Sequence, residues 1–468
     1  MKKFISGIVC CLIFTGSFGQ TINQKLQKAF TQFESDSQLK NAISSLYVIE
    51  AKTGKVVFDK NSRVGLAPAS TQKIVTATTA FELLGKDYKY TTEFSYDGEV
   101  KDSLLIGEIY INGHGDPTLG SWRYIQTKPE TIKTKFIDAL HKKKISSQRG
   151  SFIGLMDKFE YYSIPDGWVW QDIGNYYGAA AGGLNWNENQ YDLVLKPGKN
   201  EGDSVKVIRT EPIMLNQFIN ELKTGTKNSG DNGYIYFEPG SDLNYVKGSI
   251  PCCVDSFTIS GSVSNSNYFT LGIFADILNE NKFKAERYSD HFYVANKYFN
   301  NKKPVTIFYT HYSPSLDSII YWFLKKSINL YGEALVKTIG YKKKGYGATD
   351  TGVQMVKDFW KQRGIDPREL NLYDGSGLSP LNRITTHAQV EILKYAKRQT
   401  WFSYFYDALP DYNGMKLKSG TISDVKGFCG YNTSKGGNEY IISFLVNNYN
   451  GSSSTLVNKM YHVLDILK

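Results

Sequence analysis

Three short motifs follow one another along the chain: Ser70-Thr71-Gln72-Lys73, Ser327-Ile328-Asn329 and Lys418-Ser419-Gly420-Thr421. Each sets a reactive or charged side chain beside a helper. A serine with a lysine three residues on has both groups on one helical face, a nucleophile with its own base. A second serine with an asparagine two residues on offers a proton relay and an amide. A lysine on a strand edge, among hydroxyls and a glycine, can grip a carboxylate. The chemistry within reach is acyl transfer through a serine.

Each motif alone is weak. Ser-x-x-Lys occurs three times, at Ser37/Lys40, Ser70/Lys73 and Ser423/Lys426. Lys-Thr/Ser-Gly also occurs three times, at Lys52, Lys223 and Lys418, while Ser-x-Asn occurs once. The order leaves Ser37 or Ser70 before Ser327 and only Lys418 after it. Ser37 lies in a polar stretch ahead of the first strand. Ser70 follows Ala67-Pro68-Ala69 and opens an amphipathic run with Ile74, Ala77, Phe81 and Leu84 on one face, the start of a helix. Lys52-Thr53-Gly54 reads as a hairpin turn. Lys223-Thr224-Gly225 reads as the end of a helix beginning at Pro212, with Gly225 as its cap.

Elements far apart in the chain must bring these groups together. Ser45–Ala51 and Lys55–Asp59 read as a hairpin leading to the helix at Ser70. Lys416–Ile422, Lys426–Asn432 and Tyr440–Asn447 read as three antiparallel strands, with a closing helix over Ser454–Leu467. The expected core is an α/β (α+β) domain, a five-stranded antiparallel sheet flanked by helices, built from both ends of the chain. Ser327 falls between helical patterns at Leu316–Lys326 and Tyr331–Gly340, on a corner facing the cleft. About 250 residues separate Lys73 from Ser327, far more than one connection needs. They hold strand pairs around a turn at Asp97-Gly98, a helix over Glu130–Lys144, and strands near Ser151–Leu155 and Val205–Thr210. The expected division is residues 20–91 and 301–468 for the catalytic domain and 92–300 for one or two inserted accessory domains.

The 468 residues suffice for such a layout, and a hydrophobic fraction of 41% is that of a globular chain. Lys2-Lys3, the apolar run Phe4 to Phe14 and Ser17-Phe18-Gly19 read as a secretory signal peptide over residues 1–19, cleaved after Gly19. That run is too short to span a membrane and no later stretch is apolar enough, so the mature protein is expected to be soluble and secreted or periplasmic. Loss of Lys2 and Lys3 takes the net charge from +10 to +8, a solvated basic surface without the aromatic interleaving of a nucleic-acid site. Cys252, Cys253 and Cys429 remain once Cys10 and Cys11 are removed, too few for a disulfide framework. Cysteine and histidine spacings resemble no zinc site, so neither metal nor cofactor is expected.

The ordered motifs are the Ser-x-x-Lys, Ser-x-Asn, Lys-Thr/Ser-Gly set of penicillin-binding proteins and serine β-lactamases. With the long insertion, Gly115-Asp116-Pro117-Thr118-Leu119, the stretch Trp168–Asn189 and Asp374-Gly375-Ser376-Gly377-Leu378-Ser379, the chain resembles one family in particular. That family is the low-molecular-mass class C penicillin-binding proteins, D-alanyl-D-alanine carboxypeptidases that also act as DD-endopeptidases. Ser419 departs from the commoner threonine but keeps the hydroxyl. The resemblance implies a penicillin-recognising, transpeptidase-like fold, peptidoglycan stem peptides as substrates and β-lactams as covalent inhibitors. It implies Ser70, Lys73 and Ser327 as catalytic residues, and Asn329, Lys418, Ser419, Gly420 and Thr421 as substrate-binding ones. Backbone N–H groups of Ser70 and Thr421 are the expected oxyanion hole. A β-lactamase is disfavoured by the insertion and by the lack of a Glu-x-x-Leu-Asn motif before Ser327. A non-enzymatic wall-binding or penicillin-sensing module is disfavoured by three intact motifs, and an esterase of related fold by Ser327.

Overall fold

The computed structural model describes residues 20–214, 216–283, 287–290 and 305–468. The expected signal segment, with Cys10 and Cys11, lies outside the described residues. Among those described, no helix is long and apolar enough to cross a membrane.

Both ends of the chain meet in one antiparallel sheet. Its order is Asp411–Tyr412, Met415–Ile422, Val425–Thr433, Glu439–Asn447, Ile43–Glu50, Val56–Lys60. The five expected strands are present, and a two-residue edge strand adds a sixth. Ile43–Glu50 lies against Glu439–Asn447 in unbroken register, Ile43 opposite Asn447 and Glu50 opposite Tyr440. The run Tyr440 to Val446 is buried throughout, because helices cover both faces. On one face Ile22–Glu34 and Ser453–Leu464 pack Phe30, Phe33, Leu456 and Met460 against Phe444. On the other, Lys73–Leu84 and Thr386–Ala396 pack against the sheet with Leu316–Lys325 and Asn329–Lys344, in a core that includes Phe81, Phe323 and Leu335.

Residues between the first two motifs form further sheets. The largest has the order Arg287–Asp290, Ser151–Leu155, Ile109–Gly113, Thr91–Tyr96, Thr306–Tyr312. Phe94, Phe136, Phe152 and Phe274 form its core with helices Pro129–Lys142 and Ser266–Glu280. Its last strand lies beyond residue 300, so this sheet reaches further along the chain than the expected insertion. Two three-stranded sheets share a second core around Leu193, Leu222, Ile235 and Val246.

Two local expectations are corrected. The segment expected as a helix from Pro212 to Leu222 is a strand, Gln217–Gly225, paired in parallel over nine residues with Leu243–Pro251. Its inward residues alternate, Leu222 and Thr224 buried with Lys223 exposed between them. A short apolar run fits either period, and here sheet pairing decides. Gly225 is thus a strand residue opposite Pro251 and caps no helix. Around Asp97-Gly98 there is no hairpin: Thr91–Tyr96 and Glu99–Lys101 belong to different sheets, and the local hairpin turns at Asp102-Ser103.

Candidate active site

Ser70 lies on a 3-10 turn, Ala69–Gln72, that runs directly into the helix Lys73–Leu84. Ala69 takes a left-handed backbone (φ 46°) at the start of this turn. Such a conformation costs about 1–2 kcal/mol for a residue with a Cβ and is held by its surroundings. Gly420 supplies part of them. A Cβ there would lie 2.5 Å from the Pro68 carbonyl oxygen and 3.0 Å from the Ser70 nitrogen, so only glycine lets the strand Met415–Ile422 pass this close to the serine.

Lys73 is fully buried, and its amine has three neighbours: Ser70 Oγ at 2.9 Å, Asn329 Oδ1 at 2.6 Å and Ser376 O at 2.7 Å. A neutral amine has two N–H donors and one lone pair. The two carbonyl oxygens occupy the donors, which leaves the lone pair for the Ser70 hydroxyl. Burial holds the Lys73 amine well below its ordinary pKa, and the Lys418 cation pushes the same way, with Asp374 and Glu333 opposing. The arrangement is that of a serine with a general base.

Ser327 sits on the corner between Leu316–Lys325 and Asn329–Lys344, itself in a left-handed conformation (φ 59°). Asn329 follows as the first residue of the second helix; its Nδ2 donates to Tyr177 O at 2.7 Å while its oxygen holds Lys73. Ser70, Ser327, Asn329 and Thr421 line one cleft of about 710 Å³, and Asp172 and Tyr177 approach it from the inserted segment.

The third motif is placed less simply. Lys418 is buried and donates to Ser419 O at 2.7 Å. Burial pushes its amine down to about 7. The Ser419 hydroxyl donates along the sheet to Tyr412 OH at 3.1 Å. Thr421 faces the cleft, and its hydroxyl accepts from Lys426 Nζ at 2.7 Å. In the sequence Lys426 marks a stray Ser-x-x-Lys match and the start of a strand. It lies opposite Thr421 in the antiparallel ladder, a pairing fixed by the turn at Ser423-Asp424.

The loop Asp374–Ser379, whose glycines alone suggest a tight turn, braces the helix that follows Ser70. Gln72 Nε2 donates to Asp374 O at 2.6 Å and Thr76 Oγ1 to Gly375 O at 2.7 Å, beside the Lys73 contact with Ser376. The Asp374 carboxylate is itself held by Trp168 Nε1 and by the N–H groups of Gly377 and Ser379. Of the decoys, Ser37 and Lys40 are exposed on a separate 3-10 turn and Lys52 is in the first hairpin turn. Lys223 is on the inserted sheet.

The D-Ala-D-Ala carboxypeptidase 3 (S13) family model matches residues 24–411. The chain belongs to that family, and with it to the serine-type D-Ala-D-Ala carboxypeptidases. It is 25% identical over 381 residues to a D-alanyl-D-alanine carboxypeptidase of an Actinomadura species, covering 80% of this chain and 68% of the relative. It is 22% identical over 350 residues to D-alanyl-D-alanine carboxypeptidase DacB of Haemophilus influenzae, covering 73% and 68%. The fold is that of the crystal structure of penicillin binding protein 4 (dacB) from Haemophilus influenzae, with a TM-score of 0.79 and 17% identity over 95% of this chain and 99% of that one.

Proposed function

We propose that Ser70 is the nucleophile of this carboxypeptidase, Lys73 its general base and Ser327 the relay that protonates the leaving D-alanine. The observation that carries the reading is the buried Lys73 amine, its two N–H groups engaged and its remaining position 2.9 Å from Ser70 Oγ. Ser70 attacks the carbonyl of the terminal D-Ala-D-Ala amide as Lys73 takes its proton. The oxyanion is received by the N–H groups of Ser70 and Thr421. Ser327 hands the proton to the departing amine, and water then releases the acyl group. Asn329 orients the substrate amide. Lys418, Ser419, Gly420 and Thr421 form the carboxylate end, with Gly420 keeping the strand against Ser70.

The same acylation extends to β-lactams, whose ring presents an amide carbonyl where the peptide would lie. A second crystal structure of the Haemophilus influenzae protein, with a TM-score of 0.73 to this chain, is described as complexed with a β-lactam. The wide cleft also suits a branched, cross-linked peptide, so DD-endopeptidase action on peptidoglycan accompanies carboxypeptidase action. The chain acts outside the cytoplasm after removal of residues 1–19, and the insertion between the first two motifs is an accessory region whose largest sheet runs on to Thr306–Tyr312.

Incubation with purified muropeptides, followed by mass spectrometry, tests the reading. Monomers ending in D-Ala-D-Ala are expected to lose one alanine and cross-linked dimers to be cut to monomers, with slow nitrocefin turnover. Rapid, repeated nitrocefin hydrolysis with inert muropeptides would instead identify a β-lactamase.

Lys418→Ala is expected to lower kcat/KM by roughly ten- to a hundredfold, the loss of a charge-assisted contact of about 1.5–3 kcal/mol. Amidating the substrate carboxylate deletes the same contact, so the two losses do not add. The sign of the pH effect also follows. Lys418 must be charged to hold a carboxylate and loses its proton at about 7 in the free enzyme, so kcat/KM falls as pH rises through that value. Lys418→Ala removes that alkaline limb. Lys52→Ala and Lys223→Ala leave it in place.

A further inference from the structure

The helix Asn329–Lys344 buries a polar face. Asn329, Glu333 and Lys337 are four residues apart, hence on one side of it, and Glu333 has 0% of its surface exposed. Such groups are costly to bury without partners. At one end Asn329 Oδ1 accepts from Lys73. At the other, Lys337 Nζ donates to Ser163 O at 2.6 Å and Ala181 O at 2.7 Å and pairs with Glu160 at 2.8 Å. Glu333 lies between them, and its carboxyl is only half engaged. Oε2 accepts from Gly375 N at 3.0 Å, while Oε1 is buried without a hydrogen-bond partner.

Gly375 and Ser376 tie Glu333 to the catalytic lysine. Glu333 holds the N–H of Gly375, and Lys73 holds the carbonyl of Ser376, the next residue. Loop and helix touch backbone to backbone: a Cβ on Gly375 would lie 2.2 Å from the Gly332 carbonyl oxygen. The loop therefore cannot shift at Glu333 without moving an acceptor of Lys73.

We propose that Glu333 is the proton partner of the catalytic lysine, a positioning residue that grips the Gly375–Ser376 loop and shares one proton with Lys73. The charged groups around the pair are Asp374 from the loop, Lys337 from Glu333's own helix, and Lys418 from the strand beside Lys73. Burial, with Asp374 next, pushes the Glu333 carboxyl up to about 8, opposed by the Gly375 N–H, the Ser376 side chain and the Lys337 cation. Lys73 is displaced in the opposite direction by its own burial. A carboxyl buried this deeply beside the Asp374 carboxylate favours its neutral form. While Glu333 carries the proton, Lys73 is free to be a base. When Glu333 ionises, its charge favours the ammonium form of Lys73.

The inference rests on Lys73 being the base, and its test separates the two. Protein labelled with 13C at the lysine ε-carbons is titrated by NMR, and the Lys73 resonance is identified by its loss in Lys73→Arg. In a Lys418→Ala background, which removes the other amine that titrates beside it, the Lys73 signal is expected to move in two steps, one for each sharer of the proton. Adding Glu333→Gln, which carries no ionisable group, reduces this to one step, between the two seen before it. A purely structural Glu333 predicts a single step in both proteins, and that result overturns the proposal. The Lys418→Ala curve decides even if the protein with Glu333→Gln does not fold. Fluorescent-penicillin labelling that survives in Lys73→Arg, beside a two-step titration, would sink the base assignment and leave the coupling standing.

Discussion

Alanine at position 70 is expected to abolish covalent labelling by fluorescent penicillin and to stop release of D-alanine, with the fold intact. On the proposed mechanism the Ser70 hydroxyl supplies the oxygen of the acyl bond. Two controls sharpen the expectation. Ser37→Ala removes an exposed hydroxyl from a separate turn and leaves labelling unchanged. Ser423→Ala is the harder control, because Ser423 lines the same cleft and has a lysine three residues on. That lysine, Lys426, is hydrogen-bonded to Thr421, so Ser423→Ala also retains labelling. The measurement is gel fluorescence after a short exposure. Labelling that persists in Ser70→Ala and vanishes in Ser423→Ala would move the nucleophile across the cleft.

The next largest effect is expected at Lys73. General base catalysis contributes about 10²–10⁴-fold, and Lys73→Arg should lose it. A guanidinium keeps the positive charge but stays protonated at any working pH. If Lys73 served only as a fixed cation, arginine would restore much of the rate. If it accepts the Ser70 proton, arginine is as damaging as methionine. Stopped-flow acylation rates for the wild type, Lys73→Arg and Lys73→Met separate the two, with circular dichroism to check folding. Recovery of the arginine variant to within about tenfold of wild type, less than the general-base contribution, would count against the proton-transfer role.

Much of the catalytic half was legible because its signals are local. Glycine- and aspartate-marked turns flank alternating apolar runs in the last three strands, and Ser70 sits where a proline-containing stretch gives way to a 3.6-residue period. Less was legible in the insertion. Between residues 212 and 225 the apolar residues satisfy two periods at once, and parallel pairing with Leu243–Pro251 is a contact between segments that no local pattern announces. The sheet switch at Asp97 escaped for the same reason.

Within the site, the order of motifs predicted which serines and lysines belong together, but not their detailed partners. Lys426 reaches Thr421 because two strands pair, and Tyr177 reaches Asn329 from 152 residues away in the chain. Glu333 did leave a trace. An acid one turn after Asn329 and a lysine one turn after that, on a helix buried from Asn329 to Gly340, break the expected apolar face. Charges that a buried helix retains at four-residue spacing point to partners inside the protein.

The central claim is that Ser70 carries the acyl group taken from a D-Ala-D-Ala peptide. Acid quenching of the enzyme during turnover of a peptide ending in D-Ala-D-Ala, followed by proteolysis and mass spectrometric mapping, tests it most directly. The account predicts one acylated peptide, with the added mass of the substrate less its terminal D-alanine on Ser70. An acyl group on any other residue, or steady release of D-alanine with no acylated peptide trapped from either the peptide or a penicillin, would contradict it.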